Sequence, residues 1–281
     1  LKYLKKNKSL PDKYIILEIS ENLINYQKER VKKELPNDYN IFKWVTNLEE
    51  VKINGLVIAN EFFDAIPTER FRVKNSKLET LYIESNNQSF NYIWDESSDD
   101  FSNELSRAKN NHNIDFSDGY ISELNLNNSK WINSIDKSIE SGVLFIIDYG
   151  YHAQEYFLQD RSDGTLVCIH QHKSNFDPLS NIGNQDISSF VNFSHLKNLS
   201  VNTDLTVSGF LSQSSFLINL NILEIYQSKE YDGDDALIES NKLKNILLPN
   251  TMGELFKVLV MQKNIEIELK STREFNQMHK L

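Results

Sequence analysis

Three short apolar runs, each ending abruptly in an acidic or amide side chain, constrain this chain more than anything else in it. Tyr14–Ile19 (YIILEI) carries Glu18 near its end, Gly55–Ala59 (GLVIA) runs into Asn60 and Glu61, and Gly142–Ile147 (GVLFII) runs into Asp148. Unbroken β-branched and apolar runs of this length belong to strands buried on both faces, which occur in parallel sheets covered by helices. In open α/β sheets ligands bind beyond the carboxyl ends of the strands, where the strand order reverses. The sequence therefore predicts a doubly wound α/β domain with a ligand site formed by Glu18, Asn60–Glu61 and Asp148.

The remaining segments fit around that core. Ser20 is placed to N-cap a helix with Leu23, Ile24, Gln27 and Val31 along one side. Tyr39–Val45 reads as a short strand after Pro36. Arg70–Val73 and Leu78–Glu84 alternate like a hairpin, Phe90–Trp94 adds a strand, and residues 95–118 are polar and loosely helical. Residues 67–118 are thus an expected insertion into a core made of residues 1–66 and 119–281. Trp131–Ile139 reads as an amphipathic helix. Residues 149–195 form a long polar segment of the kind that is functional when it lies inside a compact domain. A strand at Leu205–Val207 follows, then helices at Phe216–Leu223, Ala236–Leu247 and Met252–Val258, with a final strand at Val258–Met261.

Charge and cysteine usage narrow the function. The net charge of −10 argues against a phosphate-backbone binder and so against nucleic acid as the partner. One cysteine, Cys168, allows no internal disulfide and no multi-cysteine zinc site, which fits a reducing compartment. No apolar run approaches the roughly 20 residues needed to span a bilayer.

A rigid acid just beyond a buried strand can accept both hydroxyls of a ribose, which is the reading of Glu18; capping of the next helix is the plainer alternative. Sheets that bind nucleosides carry a glycine-rich turn after their first strand. No such turn occurs here, so the expectation is that the first strand and its turn precede Leu1.

The segments NEFFDAIP (Asn60–Pro67), VLFIIDYGY (Val143–Tyr151), GTLVCIHQHKSNFDPLSNIGNQD (Gly164–Asp186), VNFSHL (Val191–Leu196) and MGELFKVL (Met252–Leu259) carry a resemblance. Together, in this order and spacing, they resemble the MidA family of S-adenosylmethionine-dependent methyltransferases, over about Tyr14 to Leu259. The resemblance implies a Rossmann-like class I methyltransferase sheet and S-adenosyl-L-methionine as cofactor. Mitochondrial members are protein arginine methyltransferases that assist assembly of respiratory complex I. It implies a protein substrate with a basic segment, and either a bacterial cytoplasm or a mitochondrial matrix as location. A homodimer is compatible with it.

On that reading Glu18, Ser20, Trp44 and Asn60 serve the cofactor, with Trp44 stacking on adenine or simply packing in the core. Glu61 and Asp64, three apart beyond a strand, can hold a guanidinium and take its proton; a charge pair opening a helix is the alternative. Tyr149 joins them as a catalytic candidate, and Asp148, Tyr151, Gln185 and Asp186 as substrate contacts. In Asp148–Tyr151 glycine permits a tight turn and the aromatic faces can shield a cation. Gln185–Asp186 either touch substrate or fix the long segment. His170 and His172, two apart, would share a strand face, yet methyl transfer needs no metal and none is expected. Two other classes compete: a non-catalytic assembly factor that keeps the fold, and a nicotinamide-dependent oxidoreductase supported by Glu18 alone.

Overall fold

The computed structural model describes residues 1–86, 89–229, 231 and 233–281, and the chain divides into two units, Leu1–Ile53 and Asn54–Leu281. The first unit holds α1 (Lys2–Lys6), β1 (Tyr14–Leu17), α2 (Glu21–Glu34) and β2 (Phe42–Val45). β1 and β2 are parallel, with Tyr14 opposite Phe42 and Leu17 opposite Val45. Parallel neighbours need a crossover, and α2 supplies it. Ser20 caps α2 as expected, its Oγ accepting the Leu23 N–H. The strand expected from Tyr39 starts only at Phe42, because Pro36–Ile41 winds into a 3-10 helix with Pro36 in its first turn. Leu23, expected on the covered side of α2, is exposed.

From the boundary onward the chain forms β3 (Ile53–Asn60), β4 (Glu69–Lys74), β5 (Lys77–Asn86), β6 (Ser89–Glu96), α3 (Asp99–His112), β7 (Ile121–Leu124) and α4 (Asn128–Ser138). Next come β8 (Ile139–Tyr151), α5 (Ala153–Tyr156), β9 (Val167–His170), β10 (Lys173–Asn175), β11 (Asp186–Ser188) and β12 (Val191–Asn192). The last elements are α6 (Phe193–Ser200), β13 (Thr206–Ser212), α7 (Gln213–Asn219), α8 (Ile222–Gln227), α9 (Gly233–Leu247), α10 (Met252–Leu255) and β14 (Phe256–Lys263).

The main sheet of the second unit is built on β8. β14 runs antiparallel to it from Gly142 to Tyr149 and carries β13 antiparallel on its far side. β12 pairs in parallel with β8 at Gly150–Tyr151, and β3 also pairs with β8. Leu144, Ile146 and Val258–Met261 are buried in this sheet, which accounts for the unbroken apolar run before Asp148. The run in β3 behaves differently. Leu56 and Ile58 are more than half exposed, since β8 is its one strand partner among the described residues. Gly150 is required at its position: a Cβ there would fall 2.0 Å from the Val191 carbonyl oxygen, so only glycine lets β12 approach.

A second sheet, ordered β6-β5-β4-β7 and antiparallel throughout, holds the expected hairpin and extends to Ile121–Leu124, beyond residue 118. Its inner face packs on α3 through Phe71, Phe101, Leu105, Ala108 and Tyr120. The segment expected to be loosely helical contains this regular helix because Phe101, Leu105 and Ala108 repeat at helical spacing and are buried. Ser98 caps its start and Asn113, in the left-handed conformation, ends it.

The long polar segment 149–195 is also more ordered than its composition implies: β10-β9-β11 form a small antiparallel sheet. Near the end, the helix expected over Phe216–Leu223 is broken at Asn221, which has φ of +60°, into α7 and α8. The helix expected over Met252–Val258 stops at Leu255, where the backbone turns into β14. Among the described residues no helix is long and apolar enough to cross a membrane.

Candidate functional site

In the second unit the turn after β3 and the end of β8 are joined by one buried carboxylate. Asp148 is fully buried, and its Oδ2 accepts the backbone N–H groups of Phe62, Phe63 and Asp64 at 3.2, 3.0 and 3.2 Å. Its Oδ1 accepts the N–H of Tyr149 at 3.0 Å. Burial, and then the nearby carboxylate of Asp64, push its pKa up to about 7 against the pull of those amides. Asp148 therefore holds the turn together. It is not free to take substrate, as its strand-end position had implied.

The clamp fixes Asp64, itself buried. Asp64 Oδ2 accepts a short hydrogen bond from the Tyr149 hydroxyl, and Oδ1 has no partner among the described residues. Burial and the bond to Asp64 raise the Tyr149 pKa, so the phenol stays a donor. Phe190 packs edge-on against Tyr149 at 5.2 Å, and Phe256 does so at 5.5 Å. The Ser189 N–H donates to the Asp64 carbonyl at 3.1 Å. The result is a carboxylate with one oxygen anchored and one unsatisfied acceptor, held rigidly by its own backbone.

Asn60 and Glu61 stand at the rim of this turn and are exposed. The Glu61 N–H continues the β3–β8 pairing by donating to the Ile147 carbonyl at 2.9 Å, and Asn60 donates to Glu61 at 3.2 Å. Glu61 has φ of +47°, sparsely populated for a residue with a Cβ. Tyr151 lies under the Arg161 guanidinium, 4.1 Å from its ring centre, and against Phe190. The cation over its face is thus one of the protein's own.

Gln185 fixes its loop. Its Nε2 donates to the carbonyls of Asp177 and Pro178 at 3.1 and 3.0 Å, and its Oε1 accepts from Asn175. Asp186 sits exposed in β11 opposite Ile169. His170 and His172 do not share a strand face. β9 ends at His170, and Gln171 and His172 turn the chain with φ of +50° and +63°. Among the described residues no cluster of three His, Cys, Asp or Glu could hold a metal.

In the first unit, Glu18 is half-buried at the end of β1. Its Oε1 accepts the Ser20 N–H at 3.0 Å and its Oε2 only a 3.5 Å contact from Gln27. An ionised carboxylate has about four acceptor positions, so Glu18 keeps capacity for two hydroxyls. Trp44 donates its indole N–H to Gln27 at 2.8 Å, lies stacked on Phe42 at 5.9 Å, and has Lys28 over its ring at 5.7 Å. Those contacts hold the ring in place, and Trp44 is partly exposed.

Sequence reasoning missed one buried acid altogether. Glu123, fully buried in β7, accepts the Thr165 N–H at 2.8 Å and hydroxyl at 3.1 Å and lies 3.3 Å from Arg70 Nε. Burial raises its pKa. It ties β7 to the start of the 164–186 segment, and Gly164, with φ of +76°, leaves the room its carboxylate needs. The sequence ISEL shows an ordinary alternating strand, so no local signal marks this glutamate.

Residues 1–211 match the family described as "Putative S-adenosyl-L-methionine-dependent methyltransferase", and the chain belongs to that family. It is also similar to two solved structures of one superfamily from Burkholderia thailandensis. One, solved with S-adenosyl-homocysteine bound, is 25% identical with a TM-score of 0.92; the match covers 100% of this chain and 72% of that one. The other, a native structure of an uncharacterised protein, is 25% identical with a TM-score of 0.91, covering 100% and 74%. The fold is accordingly that of a methyltransferase-like mixed α/β domain, and the family's cofactor is S-adenosyl-L-methionine.

Proposed function

We propose that this protein transfers a methyl group from S-adenosyl-L-methionine to an arginine side chain of a partner protein, as the MidA-like motifs imply. The observation that carries the reading is the unsatisfied Oδ1 of the buried Asp64. A buried acceptor without a donor costs about 1–3 kcal/mol, more when charged, so a ligand N–H that reached this oxygen would be held strongly. A guanidinium supplies planar donors and a positive charge to such a carboxylate.

The cofactor supplies an electrophilic methyl on a sulfonium. In the first unit Glu18 has the acceptor capacity to hold a ribose, and Ser20 orders the turn beside it. In the second unit the residues act on the acceptor. Tyr149 fixes one oxygen of Asp64 and so holds the other in a single orientation. Positioning of this kind accounts for much of the acceleration of a displacement reaction. Asp64 is also the base to which a guanidinium N–H would pass its proton, with Glu61 at the rim to neutralise the remaining charge of a basic segment.

The test is transfer of labelled methyl from S-adenosylmethionine to arginine-containing peptides. Asp64→Asn is expected to lower kcat/KM by about 100-fold, the scale of losing a positioned base, with methylarginine as the wild-type product by mass spectrometry. Label confined to lysine, or an Asp64→Asn enzyme as fast as wild type, contradicts the reading.

A further inference from the structure

The methyl-transfer reading gives Glu123 no task, although it is a carboxyl group fully buried in β7. Burying such a group is costly unless its surroundings satisfy it, and those of Glu123 are specific. Its Oε2 accepts two donors from one residue, the Thr165 N–H at 2.8 Å and the Thr165 hydroxyl at 3.1 Å. Its Oε1 lies 3.3 Å from Arg70 Nε, as an ion pair without hydrogen-bond geometry. Arg70 is itself held in place, its Nη2 donating to the carbonyl and the carboxylate of Asp163 at 2.6 and 2.9 Å. Both oxygens of Glu123 therefore face N–H or O–H groups. A carboxylate meets that requirement, whereas an amide would turn its NH2 group towards either the guanidinium or Thr165.

The consequence falls on Thr165. A hydroxyl has one O–H to donate and two lone pairs with which to accept. Glu123 takes the Thr165 proton, so the lone pairs are left for other donors. Two are at hand, the Phe190 N–H at 3.1 Å and the Tyr156 hydroxyl at 3.5 Å. Phe190 packs edge-on against Tyr149, whose hydroxyl donates to Asp64. Ser189, the residue before it, donates its N–H to the Asp64 carbonyl at 3.1 Å. The buried acid thus reaches the Asp64–Tyr149 pair through Thr165 and Phe190.

We propose that Glu123 is a positioning residue for the Asp64–Tyr149 pair. It orients the Thr165 hydroxyl to accept the Phe190 N–H, and Phe190 then confines the Tyr149 ring that anchors Asp64. The assignment rests on the reading of Asp64 as the group that receives the substrate, and adds what keeps that group in register. Val191, the next residue, pairs with Gly150 in the main sheet. The chain therefore stays in place when the Thr165 acceptor is lost, and the change is confined to how Phe190 meets Tyr149.

The experiment compares the whole wild-type protein with Thr165→Val, Thr165→Ser and Glu123→Gln. Valine keeps the shape of threonine and removes the acceptor, and serine restores it. In methyl transfer to arginine-containing peptides, Thr165→Val should lower kcat about tenfold or more at an unchanged KM, as expected when a group used in the transition state is misplaced. Thr165→Ser should recover most of that loss, and Glu123→Gln should fall at least as far as Thr165→Val. A carbon-13 spectrum of the tyrosine Cζ atoms reads the pair without any turnover, with the Tyr149 signal assigned by its absence in Tyr149→Phe. That signal should shift in Thr165→Val and return in Thr165→Ser. A Tyr149 signal unmoved in Thr165→Val overturns the proposal, as does a kcat unchanged from that of an active wild type. A Thr165→Ser variant no better than Thr165→Val also overturns it, because the hydroxyl would then not be the link. So does a folded Glu123→Gln that matches wild type; if Glu123→Gln does not fold, the Thr165 variants decide alone. A Tyr149 signal that moves and is rescued, in a protein whose wild type transfers no methyl, upholds the positioning role and removes the arginine-methylation reading.

Discussion

Glu18 and Asp148 stand at the ends of two apolar strands and look alike in the sequence, yet the structure surrounds them differently. Asp148 is fully buried and accepts four backbone N–H groups, three of them from one turn. Glu18 is half-buried, accepts one backbone N–H and a long contact from Gln27, and retains open acceptor positions. A strand-end acid is architecture when the neighbouring backbone exhausts it. It keeps the capacity to take a ligand when solvent still reaches it.

The comparison breaks most visibly at Asp148. Replacing it with alanine leaves four buried or part-buried amides without this acceptor, and chemical denaturation is expected to show a loss of about 3–5 kcal/mol, in line with removing one side of a buried network. Asp148→Asn keeps one accepting oxygen but sets an NH2 group against the remaining amides, so a smaller loss of about 1–2 kcal/mol is expected.

A pH series sharpens the same point. In the folded protein Asp148 holds its proton up to about pH 7, whereas an unfolded aspartate releases it near pH 4. Between these values the folded state binds the extra proton, so this group's contribution to stability is present below about pH 4 and falls as pH rises towards 7. The stability gap between wild type and Asp148→Asn should therefore narrow from pH 4 to pH 7. A gap that widens over that range would mean that the amides, not burial, dominate the carboxylate.

The smallest structural effect belongs to Glu18. Glu18→Gln loses no buried interaction, and its change in unfolding free energy is expected to stay below about 0.5 kcal/mol, as for a surface substitution.

How far these roles were legible follows from the same physics. The run before Asp148 announced a strand covered on both faces, and Val143–Tyr151 is one. GLVIA announced the same and is a strand, but Leu56 and Ile58 are exposed, because hydrophobic runs record composition and not which neighbours arrive. Ser20 was readable as a cap since capping is local. The Asp148 clamp was not, because three of its four donors lie more than 80 residues away and all are backbone groups, whose identity no side chain encodes. Asp64 and Tyr149 could each be singled out, but their contact depends on how two strand ends meet. Glu123, Arg70 and Thr165 left no trace for the same reason. Trp44 and Gln185 were legible as residue types with two uses each; Trp44 bonds Gln27 and Gln185 fixes its loop.

The most direct measurement pairs calorimetric titration of S-adenosylhomocysteine with thermal unfolding for wild type, Glu18→Gln and Asp148→Asn. The account predicts that Glu18→Gln loses affinity about tenfold, the loss of roughly one charged hydrogen bond, at an unchanged Tm. It predicts that Asp148→Asn lowers Tm while the folded protein keeps its affinity. The opposite pattern, with affinity lost at Asp148 and stability lost at Glu18, would contradict it.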